Sequence, residues 1–365
     1  MGEQVNNKRN LTFSYLEAVA ILMVIDDHTG THINILANIF PYNSFYMPLF
    51  VFISGYFYKK GIKRNIKNKI KHLFVPYMIC TLAGNGIAYL MDKANIVHWY
   101  ECANIRSIWQ WITTCPPSTT SAAWFAIMLV WVSVAYNIVR GILRSENKYI
   151  EYLLLVIMIC IGGLSIHYCM LGYNTNLLYL PCLRMMFYIQ FYHMGVLFRK
   201  YWEPYINKMR AGIICSICIF INLLLFSIYG SNLAFPSTCW MGSFKSYYLP
   251  IITSITGILF WYRLLKDFTE RYRGSIKIID FLAENTFLIM ESHLFFINIP
   301  CFYTLCKISM RGIETGSFNR ELFETTPWVG ENGNIFSFFT GLIGSMIFIY
   351  TIKRIRNKIK QVLCK

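Results

Sequence analysis

Residues 18–32 read AVAILMVIDDHTGTH. An apolar run set to cross a membrane ends in two aspartates and a histidine. Charged groups in hydrocarbon are costly, so such a run belongs to a span whose polar end has partners or water. The rest of the chain supports the membrane setting. Of 365 residues, 56% are hydrophobic and 14% charged, and the mean hydropathy is +0.43. Apolar stretches, mostly of spanning length, recur throughout, at about 11–31, 44–58, 73–91, 121–139, 150–169, 178–198, 211–229, 247–264, 278–305 and 334–352. The polar gaps between them are too short to bury a core of their own. The expected fold is all-α: a polytopic bundle of about ten transmembrane helices, forming one integral-membrane domain over residues 1–365.

The net charge of +16 could suggest nucleic acid, but its distribution argues against that. Of the 34 Lys and Arg, 27 fall in the head, the tail and every second loop; these are Lys59 to Lys71, Arg140 to Lys148, Arg199 to Arg210 and Arg263 to Lys277. Six lie in the alternate loops, and Arg184 lies inside a span. Ten spans put all the basic clusters on one face, which predicts both termini in the cytosol. The twelve cysteines show no repeated spacing. The lone CxxC, Cys215 and Cys218, sits in an apolar run, where free cysteines act as small hydrophobes. Cys102 and Cys115 share one outer loop, which also carries Trp99, Trp109 and Trp111 as interfacial anchors or sugar-stacking rings.

Ionisable groups stand out in three spans: Glu17, Asp26, Asp27 and His28 in the first, Arg184 and His193 in the sixth, and Asp280, Glu284, Glu291 and His293 in the ninth. Convergence on one water-filled cavity explains all three; an internal ion pair, such as Arg184 with Glu291, is the structural alternative. Glu17 and His28 are eleven residues apart. On a helix that is about three turns, so the two share a stripe about 16 Å long. Asp26 and Asp27 do not share the His28 face while the helix stays regular. Histidine suits proton transfer near neutral pH. His28 and His32, with Asp27 and His293, have spacing compatible with zinc, but Gly30 weakens the helix between them and no metal site is expected.

Several stretches together carry a family resemblance. FSYLEAVAILMVIDDHTG has a polar residue followed eleven positions later by histidine, and MPLFVFISGYFYKK holds Ser54 and Gly55. KRNIKNKIKHLFVPYMI leads from a basic loop to Pro76, AAWFAIMLVW holds Trp124 and Phe125, and ENTFLIMESHLFF holds Asn285, Thr286 and His293. In order and spacing these resemble integral-membrane acyltransferase family 3, the O-acyltransferases of bacterial surface polysaccharides. The resemblance implies a multi-pass protein of the bacterial cytoplasmic membrane. It implies transfer of an acyl group, usually acetyl, from acyl-CoA to a hydroxyl of a surface glycan or its lipid-linked precursor, with no permanently bound cofactor. His28, Glu17, Arg184 and His293 are then the candidate catalytic residues. Lys59, Lys60, Lys63 and Arg64 are candidates for the donor phosphates. Asp27, Ser54, Trp124 and Glu291 are candidate substrate contacts.

One departure stands out. Where the family has a basic residue, this chain has Glu17. A carboxylate there repels an anionic donor unless the Lys59 to Lys71 cluster supplies the cations. Export of a polysaccharide without acyl transfer is therefore the alternative reading. An ion-coupled transporter is a third, disfavoured by the absence of an inverted repeat.

Overall fold

The computed structural model describes residues 10–29, 40, 42–59, 61–93, 121–144, 147–176, 178–230, 239, 244–272, 274–299 and 331–363. Regular structure within these residues is helical throughout. The helices are α1 (Leu11–Thr29), α2 (Tyr42–Tyr56), α3 (Ile62–Lys69), α4 (Val75–Lys93), α5 (Trp124–Ile142), α6 (Lys148–Met170), α7 (Leu180–Leu197), α8 (Glu203–Lys208), α9 (Ala211–Tyr229), α10 (Leu249–Arg271), α11 (Lys277–Glu284), α12 (Thr286–Ile297) and α13 (Glu331–Leu363). Four of them are each long and apolar enough to cross a membrane: α5, α6, α9 and α13. Two shorter apolar helices, over Phe45–Tyr56 and in α12, accompany them. Glu17, Asp26 and Asp27 set α1 apart from the apolar spans, and packing compensates.

α1 is the central helix. Leu16, Ala20, Ile21, Val24 and Ile25 are all fully buried, as expected for a helix packed in the core. It touches α2, α10, α11, α12 and α13. A close crossing lies beside it, between α2 and α7. A Cβ on Gly55 would fall on the Tyr192 carbonyl oxygen, and one on Gly195 would fall on the Phe52 carbonyl oxygen. Small residues let backbones approach in this way, and in lipid such packing replaces the hydrophobic drive between helices. At the periphery, 17% of the α9 span is buried, against 56% of α5. The open face of α9, with Phe220 and Ile228, is apolar and suited to acyl chains.

The ninth apolar stretch, expected as one long span over 278–305, is two helices in its described part. Asn285 breaks it, at φ −121° and ψ 13°, with its side-chain amide donating to the Phe281 carbonyl at 2.6 Å. An asparagine that satisfies its side chain on the preceding turn competes with helix continuation. The tenth stretch is longer than expected. Its 33 residues run about 50 Å, so the basic stretch from Lys353 projects beyond a hydrocarbon core of about 30 Å.

The described basic segments meet at one end of the bundle. Phe13, at the start of α1, packs on Tyr56 at 4.0 Å between ring centroids. Arg140, Glu151 and Lys200 join α5, α6 and α7 there. Tyr56 and Tyr262 both donate to the Glu203 carboxylate, at 2.7 and 2.9 Å. The Lys353 ammonium lies 5.6 Å from the Phe281 ring.

Candidate active site

Two polar regions lie along α1. The first is a cavity of about 430 Å³ at the basic end, with Glu17, Ser54, Lys59, Asn65, Lys69 and Asn137 in its wall. Its apolar wall includes Phe50, Phe125 and Met290, so with α3 and with Tyr192 of α7 five helices beyond α1 line it. The local chain explains the placement of Lys69. α3 runs into α4 through a π turn, Ile70–Phe74. Such a turn shifts the register between the basic and apolar halves of one continuous helix, and π turns of this kind cluster at functional sites. Lys69 Nζ donates to Ser54 Oγ at 2.8 Å. Asn65 Nδ2 donates to Asn137 Oδ1 at 3.2 Å and to the Lys59 carbonyl, tying α3 to α5 and to the end of the α2 loop. Burial disfavours the ammonium and lowers the Lys69 pKa to about 8. A cation held by one hydroxyl in a cavity is available to an anionic ligand.

The second region is at the far end of α1, three turns on. The helix is unbroken from Leu11 to Thr29, so the expected stripe from Glu17 to His28 stands. His28 is exposed, and its ring centroid lies 5.2 Å from that of His293 on α12. His293 is fully buried. Its Nδ1 bonds the Ile289 carbonyl at 3.0 Å, so this nitrogen carries the proton and Nε2 is the basic one. Nε2 has no hydrogen-bond partner. Glu291, two residues earlier, is 3% exposed, and neither carboxylate oxygen is hydrogen-bonded.

The remaining candidates divide. Asp27 accepts a hydrogen bond from the Tyr46 hydroxyl at 3.1 Å, which gives it a positioning contact with α2. Arg184 lies with its guanidinium carbon 4.2 Å from the centre of a Trp124 ring, both residues being buried. A guanidinium stacked this closely is held by cation–π attraction. The Arg184–Glu291 ion pair considered from sequence is not formed, since Glu291 has no partner. Arg64 is exposed on α3 and does not line the cavity. His32, Lys60, the Lys63 side chain and the tryptophan loop with Cys102 and Cys115 lie outside the described residues.

Sequence reasoning did not single out Lys69, Asn65, Asn137 or Glu151. The asparagines were the available signal. An amide inside the apolar run of α5, or on a helix otherwise serving as a charge marker, is as informative as a carboxylate. Glu151 opens the fifth span and is fully buried. It receives Arg140 through two hydrogen bonds, at 2.9 and 3.0 Å, and Lys200 at 3.1 Å. His193 joins the same knot, bonding the Glu151 carbonyl through Nε2 at 3.0 Å and the Tyr136 hydroxyl through Nδ1 at 2.9 Å.

A family 3 acyltransferase model, described as an acyltransferase domain, aligns with residues 10–354. No curated protein and no solved structure matches the chain.

Proposed function

From the chain's membership of acyltransferase family 3, we propose that it transfers an acetyl group from acyl-CoA to a hydroxyl of a cell-surface glycan or of its lipid-linked precursor. The protein is an acyltransferase with membrane-spanning helices. In this reading it resides in the bacterial cytoplasmic membrane, with the basic end in the cytosol.

The observation that carries the reading is the line from cavity to histidine along one unbroken helix. Acyl-CoA enters from the basic end. Its phosphates meet Lys59 and Lys69, and these cations offset Glu17 in the same cavity. The acyl arm runs along α1 toward His28. A glycan hydroxyl is a weak nucleophile until a base removes its proton. His28 takes that proton as the hydroxyl oxygen attacks the thioester carbonyl. The carbon–sulfur bond then breaks, and the proton passes from His28 to the departing CoA thiolate. His293, whose ring centroid lies 5.2 Å from that of His28 and whose Nε2 is bare, stabilises the imidazolium while it lasts. Trp124 holds Arg184 as a cation for the developing oxyanion.

The test is His28→Ala in a strain that makes the glycan. General-base loss lowers the transfer rate by roughly 10²- to 10⁴-fold. O-acetyl groups disappear from the displayed polymer, and the amount displayed is unchanged. Loss of display, with normal acetylation of what remains, would mean that the chain exports the polymer and the acyl-transfer reading fails.

A further inference from the structure

A second cavity, of about 580 Å³, lies at the basic end, between the start of α6 and the turn from α7 into α8. It shares no lining residue with the cavity that holds Glu17 and Lys69, and acyl transfer gives it no role. Lys148, Lys200 and Lys208 line it together with Tyr152, Tyr201 and Trp202. None of its described lining residues is acidic.

Its aromatic floor is fixed. The Tyr152 and Tyr201 rings stack at 6.1 Å and 28°, and Trp202 Nε1 donates to the Tyr152 hydroxyl at 2.9 Å. Two ammonium groups converge on that floor. Lys148 Nζ lies 5.8 Å from the Tyr201 ring and 5.9 Å from the Tyr152 ring, and Lys200 Nζ lies 5.3 Å from the Tyr201 ring. Like charges drawn to one ring repel unless an anion joins them. Among the described residues, Glu151 is the carboxylate in reach of Lys200, and Arg140 already holds it through both oxygens. Positive charge is left over at the cavity, with Lys148 and Lys208 exposed.

The cavity also sits at a defined depth. Tyr and Trp collect where hydrocarbon meets headgroups. Just beyond the cavity, α6 exposes Leu153 and Val156, an apolar face fit for acyl chains. Basic pockets beside spans on the cytosolic side are suited to anionic headgroups.

We propose that this cavity binds the phosphate headgroup of an anionic phospholipid. Lys148 and Lys208 meet the phosphate, the Tyr152–Tyr201 stack forms the floor, and the acyl chains lie along α6. The full-length protein in phosphatidylcholine nanodiscs, titrated with phosphatidylglycerol and read by native mass spectrometry, tests this. Each lysine near a headgroup is worth roughly a fivefold change in affinity, so Lys148→Gln with Lys208→Gln weakens phosphatidylglycerol retention by roughly 25-fold. The paired control Arg271→Gln with Lys277→Gln, at the same end but away from the cavity, leaves retention unchanged. Equal loss in both pairs would reduce the effect to general surface charge and overturn the proposal. So would equal retention of phosphatidylcholine and phosphatidylglycerol. Displacement of the lipid by 3′,5′-ADP, with tight nucleotide binding in its absence, would make this a soluble-phosphate site and overturn the lipid assignment. If the paired variant does not fold, Lys208→Gln alone carries the test with a fivefold expectation.

Discussion

Glu151 and Glu291 are both buried carboxylates in one bundle, and the fold treats them oppositely. Glu151 is fully buried and answered by Arg140, Lys200 and the surrounding α5–α6–α7 contacts. Glu291 is 3% exposed and answered by nothing. A charge taken out of water needs partners to repay the loss. Where it has them, it serves as a structural tie. Where it has none, folding has left a cost standing, and such costs persist at functional sites. The contrast separates a knot that holds three helices from a line of unsatisfied groups, Glu291 and His293, beside His28.

The largest effect that can break this contrast is on the knot. Glu151→Ala leaves Arg140, 10% exposed, without its carboxylate. Removing one partner of a buried pair costs about 3–5 kcal/mol. The expected result is a large drop in melting temperature, with acyl transfer falling only in proportion to folded protein. Adding Arg140→Leu to a Glu151→Leu variant should recover much of the loss, because no buried charge is then stranded. A Glu151→Ala protein as stable as the parent would show that the knot is ornamental.

Glu291 should behave in reverse. Glu291→Leu removes a buried group with no partner, so it stabilises the protein by about 2 kcal/mol, while acyl transfer drops, the trade expected where activity depends on a destabilised site. Thermal unfolding and a transfer assay on the same preparation measure both. A fall in stability comparable to that of Glu151→Ala would erase the distinction between the two carboxylates.

How much of this was legible beforehand follows the same division. The runs of apolar residues locate most helices within a few residues; the apolar run 211–229 matches α9, Ala211–Tyr229. The Glu17–His28 stripe was legible because an unbroken helix fixes relative phase from sequence spacing alone. Pairing across helices was not, because it depends on which helices cross. Nothing in the spacing of Glu151, Arg140 and Lys200 says that α5, α6 and α7 meet at their basic ends. Lys69 was hidden for another reason. Among seven basic residues between Lys59 and Lys71, charge alone does not distinguish the residue that the π turn at Ile70–Phe74 follows. The break at Asn285 is not legible in the sequence, because an asparagine inside an apolar run is a weak stop signal without its bond to the preceding turn.

The smallest predicted effect concerns the two lysines, and it turns on pH. Lys200 has Glu151; Lys69 has a serine hydroxyl and a cavity shared with Glu17 and Lys59. With its pKa lowered to about 8 by burial, Lys69 gives up its proton in the folded state while the unfolded chain keeps it to about 10.4. Below pH 8 both states are protonated and the cost of burying the ammonium is borne in full. Between pH 8 and 10.4 the unfolded chain holds more protons, so this group's contribution to stability rises with pH. Donor binding moves the other way, because the neutral amine no longer meets a phosphate. The KM for acyl-CoA should therefore climb above pH 8, by up to about tenfold per unit, or about 1.4 kcal/mol. Lys69→Arg keeps its charge throughout this range, so its KM should stay flat across the same pH values. A parent enzyme whose KM does not change through pH 8, or a Lys69→Arg variant that reproduces the climb, would remove Lys69 from the donor site and leave Lys59 to hold the phosphates.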